Sequence, residues 1–547
     1  MIMEKYARAQ FENEEDFQAN FQIAVPDNYN FGFDCIDRLA VESPDKTALL
    51  WCNESGEERS FSFSELAFLS DAAARYFLSV GIRKGDTVML ILKRRFQYWY
   101  AVLGLIKIGA IAIPATHLLT KKDIAYRNEA ARTTAILSVD DDRILETIED
   151  AQQFFPAAYL IKIGEEREGW HSFDEGITRN SSGVPLPRTT INSDPMMLYF
   201  TSGTTGQPKM VCHNYTYPLG HITTARFWHN LHPGSLHLSV SDTGWAKASW
   251  GKMFGQWLCE AAVFVYDHER FNAANLLAII SRYRLTSFCA PPTVFRYMVR
   301  ENLADYDLRH LESVTTAGEA LSPDVFVAFR EATGLVIREA YGQTEMTPLA
   351  LTSPYIDSRP GSLGKPSPAY DLCLVDENGN EVGPEEEGEI CLRIAPGEQP
   401  GVFSGYYQND ELTAQAWRGG LYHTGDRARM DIDGYLWFIG RADDMIKASG
   451  YRIGPFEVES VLLEHPAVLE CAVTGEPDPL RGQVVKATIV LSEGYLPCEE
   501  LVRELQTYVK TTTAPYKYPR IIEFTEELPK TISGKVRRVA LRQQQPT

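Results

Sequence analysis

Residues 199–211 read YFTSGTTGQPKMV. An apolar run, MMLYF, leads in, and seven of the nine residues from Thr201 to Lys209 are Gly, Ser, Thr or Lys. So little bulk and so many hydroxyls suit an anion: Gly lets backbone N–H groups approach closely, hydroxyls donate, and Lys adds charge. The stretch is not a P-loop, which needs G-x-x-x-x-G-K-[ST]. Here Gly203 and Gly206 have the wrong spacing, and Lys209 follows Pro208. The chain has no G-x-G and no G-x-S-x-G, so neither a dinucleotide fingerprint nor a hydrolase elbow is present. Taken alone, the stretch also reads as a polar surface loop between strands.

On either side of it, helical and strand patterns alternate. FSELAFLSDAAARYFLSVGI (63–82) has apolar residues at helical spacing and ends at Gly81. DTVMLIL (86–92) reads as a buried strand, FQYWYAVLGLIKIGA as a helix and IAIPA as a strand, while LTSFCAPP (285–292) and LESVTTAGEAL (311–321) read as strands running into loops. This rhythm predicts parallel sheets with crossover helices, an α/β fold. Near residue 372 it changes. DLCLVDENGNEVGPEEEGEICLRI (371–394) reads as a hairpin turning at Asn378-Gly379, and residues 421–447 as a β meander turning at Asp433-Gly434. After GRADD the pattern predicts a compact unit with helices near 455–464 and 498–510 and strands near 468–474 and 484–491. The expectation is a large N-terminal domain, residues 1–440, with parallel-type sheets and a β-rich subdomain. A small mobile α+β domain, residues 441–547, follows, with no long linker between them.

Bulk properties narrow the function. A chain of 547 residues exceeds a single core. A net charge of −20 argues against nucleic acid and anionic membrane as main partners. The nine Cys are scattered with no C-x-x-C, a poor disulfide framework and a poor zinc pattern. The acidic N-terminus, MIMEKYARAQFENEEDF, has no signal core, and the apolar stretch 101–115 is broken by Lys107 and too short to span a bilayer. These features predict a soluble, cytoplasmic protein without stable membrane insertion and leave open whether it is a monomer or homodimer.

TSGTTGQPK resembles the phosphate loop of the adenylate-forming superfamily of acyl-CoA synthetases, luciferases and peptide-synthetase adenylation domains. Six further matches follow in the family's order: AGEAL (317–321), EAYGQTE (339–345), YHTGD (422–426), GRADD (440–444), SGYRIGPFEVE (449–459) and PKTISGKVRR (529–538). The resemblance implies that a carboxylate attacks the α-phosphate of ATP, pyrophosphate leaves, and a thiol then takes the acyl group from the acyl-adenylate. It further implies that Thr201, Ser202, Gly203, Thr204, Thr205, Gly206 and Lys209 hold the β- and γ-phosphates. Glu345 would face Mg²⁺, a hard cation that prefers carboxylate oxygen. Asp426 would accept from the ribose hydroxyls, and Gly318, Glu319 and Ala320 would line the adenine site through backbone atoms. The nucleotide site would also include Glu339, Ala340, Gly342, Gln343 and Thr344, with Tyr341 stacked on the base and Arg441 and Arg452 near the ribose and phosphates. Lys535 would bridge carboxylate and α-phosphate during adenylation, on a domain hinged at Asp443.

SGYRIGPFEVE and TAPYKYPR (513–520) resemble the medium-chain acyl-CoA synthetases and favour free coenzyme A as the thiol. Ser449, Gly450 and Tyr451 would border its channel, with Arg481 and Lys510 at its phosphates. SDTGW (241–245) places Trp245 beside Gly318 at the acyl pocket. Lys247 and Trp250 depart from the subgroup's usual aliphatic residues and leave open short, medium, branched and aromatic acids. Rival readings are an adenylate former that loads a carrier protein, a non-catalytic nucleotide sensor, and an oxidative, luciferase-like enzyme.

Overall fold

The computed structural model describes residues 1–201, 207–319, 321–448, 451–530 and 536–543. Ser202, Gly203, Thr204, Thr205, Gly206, Ala320, Ser449, Gly450 and Lys535 lie outside the described residues.

The helix Phe63–Ser79 starts where the sequence provides a reciprocal cap. The Ser62 hydroxyl accepts from the Glu65 N–H at 3.2 Å, and the Glu65 carboxylate accepts from the Ser62 N–H at 2.8 Å. The helix Gln97–Ile108 is buried on every side and closes on Gly109, whose φ of +81° is the left-handed cap that glycine favours. The two helices cross closely at Gly104, where a Cβ would lie 2.9 Å from Ala73 Cβ. Lys107 is fully buried and donates to Asp37 and Asp71, each at 2.6 Å. It is a paired internal charge, not an exposed interruption of the apolar run.

These helices cover a sheet of eight strands whose centre, Ile111–Pro114, Thr87–Ile91, Ala135–Ser138 and Tyr159–Lys162, is parallel. At one side Pro195–Thr201 runs parallel to Ile111–Pro114 and antiparallel to Lys209–Asn214, with Thr201 opposite Lys209. The opening stretch therefore includes the ends of two paired antiparallel strands. A second sheet, of nine strands, has a parallel core: Thr47–Asn53, Ala262–Asp267, Leu236–Ser239, Ser287–Ala290, Ser313–Ala317 and Ile337–Tyr341. A third, antiparallel sheet joins Leu372–Val375, Glu387–Leu392, Leu421–Met430 and Leu436–Arg441. The α/β expectation and the change of pattern near residue 372 both hold.

The first hairpin of the third sheet differs in part from its sequence reading. The chain turns at Asn378-Gly379, with Gly379 at a φ of +83° and Val375 bridging Glu381, but the long returning strand begins only at Glu387. The Asp376 carboxylate shapes that turn by accepting from the N–H groups of Asn378 and Asn380, both at 2.8 Å.

From residue 446 onward the chain builds a fourth sheet. Val468–Asp478 and Gly482–Leu491 pair antiparallel, and Ile521–Phe524 adds in parallel. Helices Pro455–Leu463 and Glu499–Thr512 pack on it around a core of Val458, Leu462, Val473, Ile489, Leu505 and Val509.

Candidate active site

The AGEAL and YGQTE segments leave the C-terminal ends of the neighbouring parallel strands Ser313–Ala317 and Ile337–Tyr341, the usual place for a ligand crevice in such a sheet. Two of the other sheets supply Thr201 and Lys209, paired at the ends of their strands, and the strand bearing Thr424–Asp426.

Asp426 organises one half of the site. Its buried carboxylate accepts from the Tyr341 hydroxyl and from Gln343 Nε2, both at 2.6 Å and both on Oδ2. Oδ1 accepts from Arg441 Nη1 at 3.3 Å, because Asp426 and Arg441 stand opposite each other on adjacent strands. Gln343 is fixed in turn by donating to the Thr424 carbonyl at 2.9 Å and accepting from the Tyr422 hydroxyl at 3.1 Å. Arg441 also donates to Asp443 at 3.3 Å. Tyr341 therefore presents a ring whose hydroxyl is already committed to Asp426.

Glu345 organises the other half. Its carboxylate accepts from the Tyr406 hydroxyl at 3.0 Å, and Lys209 Nζ lies 5.2 Å from the Tyr406 ring centroid. Burial raises the Glu345 carboxyl above its ordinary range, against its own backbone N–H, the Tyr406 hydroxyl and Lys209. Behind it, the Thr344 carbonyl meets His213 Nε2 at 2.8 Å. Tyr406 carries no motif in the sequence; only its pairing opposite Val211, two residues past Lys209, brings it here.

Other assigned residues support the site from outside. Glu339 is buried, and its carboxylate accepts from the Leu321 and Gly361 N–H groups at 3.2 and 3.1 Å. It ties down the two loops flanking its strand. Glu319 accepts from Thr293 at 2.9 Å and Arg296 at 3.2 Å. Gly318 has a φ of +102°, and Lys247 beside it donates to the Ala317 carbonyl at 2.6 Å. Ala340 packs in a small apolar cluster with Trp228, Trp250, Cys289, Ala317 and Leu351. At Gly342 a Cβ would lie 2.6 Å from Trp250 Cη2, so the indole occupies the space a side chain there would take. Trp245 is only partly buried and caps the helix Ala246–Gly251 that presents Trp250.

In the last part of the chain, Tyr451 is half-exposed and stacks on Tyr516 with centroids 4.2 Å apart and planes at 13°. Arg452 stands opposite Lys447 in the short strand Tyr451–Ile453. Arg481 is exposed in the loop between the two long strands, its N–H donating to Asp478 at 2.8 Å. Lys510 lies on a separate element, the last turn of Glu499–Thr512, over the Tyr518 ring.

An ion-pair chain joins the last residues of three of the motifs, GRADD, SGYRIGPFEVE and PKTISGKVRR. Arg538 donates to Glu459 at 2.7 and 2.8 Å and to Asp444 at 3.4 Å, and Arg542 pairs with Asp444 as well. Lys530 and Val536, which flank the segment containing Lys535, pair as an antiparallel bridge.

The family model for AMP-binding enzymes matches residues 36–407, and that for the AMP-binding enzyme C-terminal domain matches residues 457–535. The mitochondrial acyl-coenzyme A synthetase ACSM3 of Homo sapiens is 41% identical, with 98% of this chain and 93% of that protein aligned. The human mitochondrial ACSM4 is 42% identical, over 95% and 91%. Among solved structures, the anthranilate CoA ligase AuaEII, in complex with anthranoyl-AMP, matches with a TM-score of 0.87 at 31% identity, over 95% of this chain and 98% of that one. An acyl-CoA synthetase of Brucella canis matches with a TM-score of 0.74 at 31% identity, over 97% and 99%.

Proposed function

The chain belongs to the AMP-binding enzymes, and from that premise we propose how its residues divide the work. It is an AMP-forming acid–CoA ligase. ATP and a small carboxylic acid give an acyl-adenylate and pyrophosphate, and coenzyme A then takes the acyl group and releases AMP. No described helix is long and apolar enough to cross a membrane.

The observation that carries the assignment is the pairing of two clusters across one crevice. Asp426, with Tyr341, Gln343 and Arg441, offers a buried, ionised acceptor suited to two ribose hydroxyls. Glu345, with Tyr406 and Lys209, lies at the base of the Thr201–Lys209 hairpin, where a polyphosphate meets a cation and backbone donors. The Glu345 carboxylate is the hard oxygen donor that Mg²⁺ requires, and Mg²⁺ there supplies charge stabilisation of the transferring phosphoryl group. Lys535 adds positive charge where two anions approach, and the unit from 441 to 547 turns about Asp443 between the two half-reactions. Ser449, Gly450, Tyr451, Arg481 and Lys510 border coenzyme A, and the Tyr451–Tyr516 stack supports this reading.

The acid is short, medium or branched. Trp250, which fills the space over Gly342, and Lys247, which is anchored beside Gly318, shorten a pocket that Trp245 borders. Aromatic acids are a second reading, favoured by the likeness to the anthranilate ligase. Assaying pyrophosphate release with ATP, Mg²⁺ and coenzyme A over acids from acetate to dodecanoate, with benzoate and anthranilate, tests both. Activity should be highest on short, medium or branched acids, and Trp250→Ala should extend it to longer ones. A wild-type optimum at dodecanoate defeats the short-pocket assignment. Nine free cysteines, eight of them buried, suit a reducing compartment. We place the enzyme in the cytoplasm as a monomer or homodimer, which cell fractionation and sedimentation check.

A further inference from the structure

The third sheet holds a group of donors that the proposed reaction leaves unused. Cys373, Cys391 and His423 stand in register across three adjacent strands, Leu372–Val375, Glu387–Leu392 and Leu421–Met430. His423 Nδ1 lies 2.9 Å from Glu389 Oε2 and 3.4 Å from Cys391 Sγ. The thiol, the ring nitrogen and the carboxylate oxygen all fall within 4.8 Å of one another, the one such group among the described residues. Cys391 is fully buried, and the His423 and Glu389 side chains are 10% and 15% exposed.

The imidazole shows what this arrangement needs. His423 Nε2 faces the Arg418 carbonyl at 3.2 Å, while Nδ1 faces the Glu389 carboxylate. A neutral imidazole has one N–H and one lone pair, so it satisfies only one of these two acceptors. With Nε2–H donated to the Arg418 carbonyl, the Nδ1 lone pair points at a carboxylate oxygen 2.9 Å away. The Cys391 thiol, 3.4 Å away, is the donor that faces this lone pair, and a metal ion taking the place of its proton would sit between the nitrogen, the sulfur and the carboxylate.

We propose that Cys391 Sγ, His423 Nδ1 and Glu389 Oε2 bind a divalent cation of the zinc class, at a site separate from the Mg²⁺ of the reaction. One thiolate, one imidazole and one carboxylate suit zinc or cobalt and not the all-oxygen coordination of Mg²⁺ or Ca²⁺. Three protein ligands leave a fourth position to water or a small anion. The Arg418 carbonyl fixes the ring through Nε2–H, the usual second-shell arrangement for a metal-bound histidine. The Gly425 N–H donates to Glu389 Oε1 at 3.0 Å and holds that oxygen aside. Two features oppose binding. Burial, with Glu389 and Cys373 nearby, keeps the Cys391 thiol protonated, so binding must release the S–H proton to solvent as the Cys391 S–metal bond forms. Arg418 Nη2 also donates to Glu389 Oε2 at 3.1 Å and competes with a cation there; being 58% exposed, its side chain has room to turn into solvent.

The test is a Co²⁺ titration of the full chain carrying Cys498→Ser, which removes the one exposed thiol. One Co²⁺ per chain should bind, with a thiolate-to-cobalt charge-transfer band that Zn²⁺ abolishes. Cys391→Ser should eliminate the band. His423→Gln should weaken binding by more than the roughly 10–100-fold typical of losing a second-shell partner. Arg418→Ala should tighten binding, an effect that a purely structural ion pair does not produce. Circular dichroism confirms that each variant is folded; should Cys391→Ser fail that check, His423→Gln and Arg418→Ala decide. Absence of the band in the Cys498→Ser protein, or its persistence unchanged in Cys391→Ser or His423→Gln, overturns the proposal and leaves an imidazolium–carboxylate pair.

Discussion

Asp426 divides its two oxygens between neutral donors on one side and Arg441 on the other, and that division sets what its loss does. Asp426→Ala removes an ionised acceptor from the ribose and leaves Tyr341 and Gln343 with buried, unmatched donors. ATP binding should weaken by roughly 1.5–3 kcal/mol, the usual worth of hydrogen bonds to a charged group. Calorimetric titration with ATP checks this, and an unchanged dissociation constant sinks the ribose assignment. Gly342→Ala probes the acyl side. Its Cβ lands 2.6 Å from Trp250 Cη2, and overpacking of this kind costs roughly 1–3 kcal/mol. The specificity constant should fall most for the bulkiest acid accepted and least for the smallest; a uniform fall points to a distorted backbone instead. Asp426, Glu345 and Lys209 were legible because each stands inside a motif. Tyr406 was not, since its role comes from strand register alone, and Trp250 showed only as a departure from a pattern.

Secondary structure was legible where the local code is redundant, as in Phe63–Ser79 with its Ser62–Glu65 cap and Gln97–Ile108 with its Gly109 stop. It was not legible in Tyr451–Ile453, where three residues are too few to show alternation. The turn at Asn378-Gly379 was legible, but not the Asp376 carboxylate that holds it nor the late start of the returning strand at Glu387. Tethers between elements are likewise silent in sequence. Glu339 joins its strand to Leu321 and Gly361, and burial pushes its carboxyl from 4.5 up to about 8. A folded-state value raised in this way contributes stability that is full below 4.5 and lost as pH rises through about 8. Denaturant unfolding of the wild type against Glu339→Gln should therefore show the wild type losing ground across that window; parallel profiles mean the carboxyl is not raised. The Arg538–Glu459 pair ties Arg538–Gln543 to Pro455–Leu463. Breaking a fully buried pair costs roughly 3–5 kcal/mol, and less here because the Arg538 side chain is 23% exposed. Glu459→Gln should lower the melting temperature and slow adenylation more than it weakens ATP binding, because residues 536–543 directly follow Lys535. Full adenylation activity in a destabilised Glu459→Gln variant would show that the tether serves folding alone.

At the scale of the whole molecule, two chemically unlike steps share one crevice. In the first, an anionic carboxylate must approach an anionic α-phosphate, so positive charge is needed between them. In the second, a thiol must reach the acyl carbon from a side that is open to coenzyme A. One fixed arrangement serves both poorly, and the proposed swing of the C-terminal unit about Asp443 would resolve the conflict. Asp443 stands immediately before Asp444, which Arg538 and Arg542 bind, so the proposed rotation there would carry residues 536–543 with it. Lys535→Ala should slow acyl-adenylate formation by about 10²–10³-fold, the scale of losing one electrostatic stabiliser, and leave thioester formation from a supplied acyl-adenylate nearly intact. Asp443→Pro should do the reverse. Proline fixes φ and removes an N–H at the pivot, so adenylation continues while transfer to coenzyme A stalls. Both half-reactions are measured for both variants, the first by pyrophosphate release and the second by consumption of synthetic acyl-adenylate with coenzyme A. If each variant loses both steps to the same degree, the two steps do not use different orientations of the C-terminal unit.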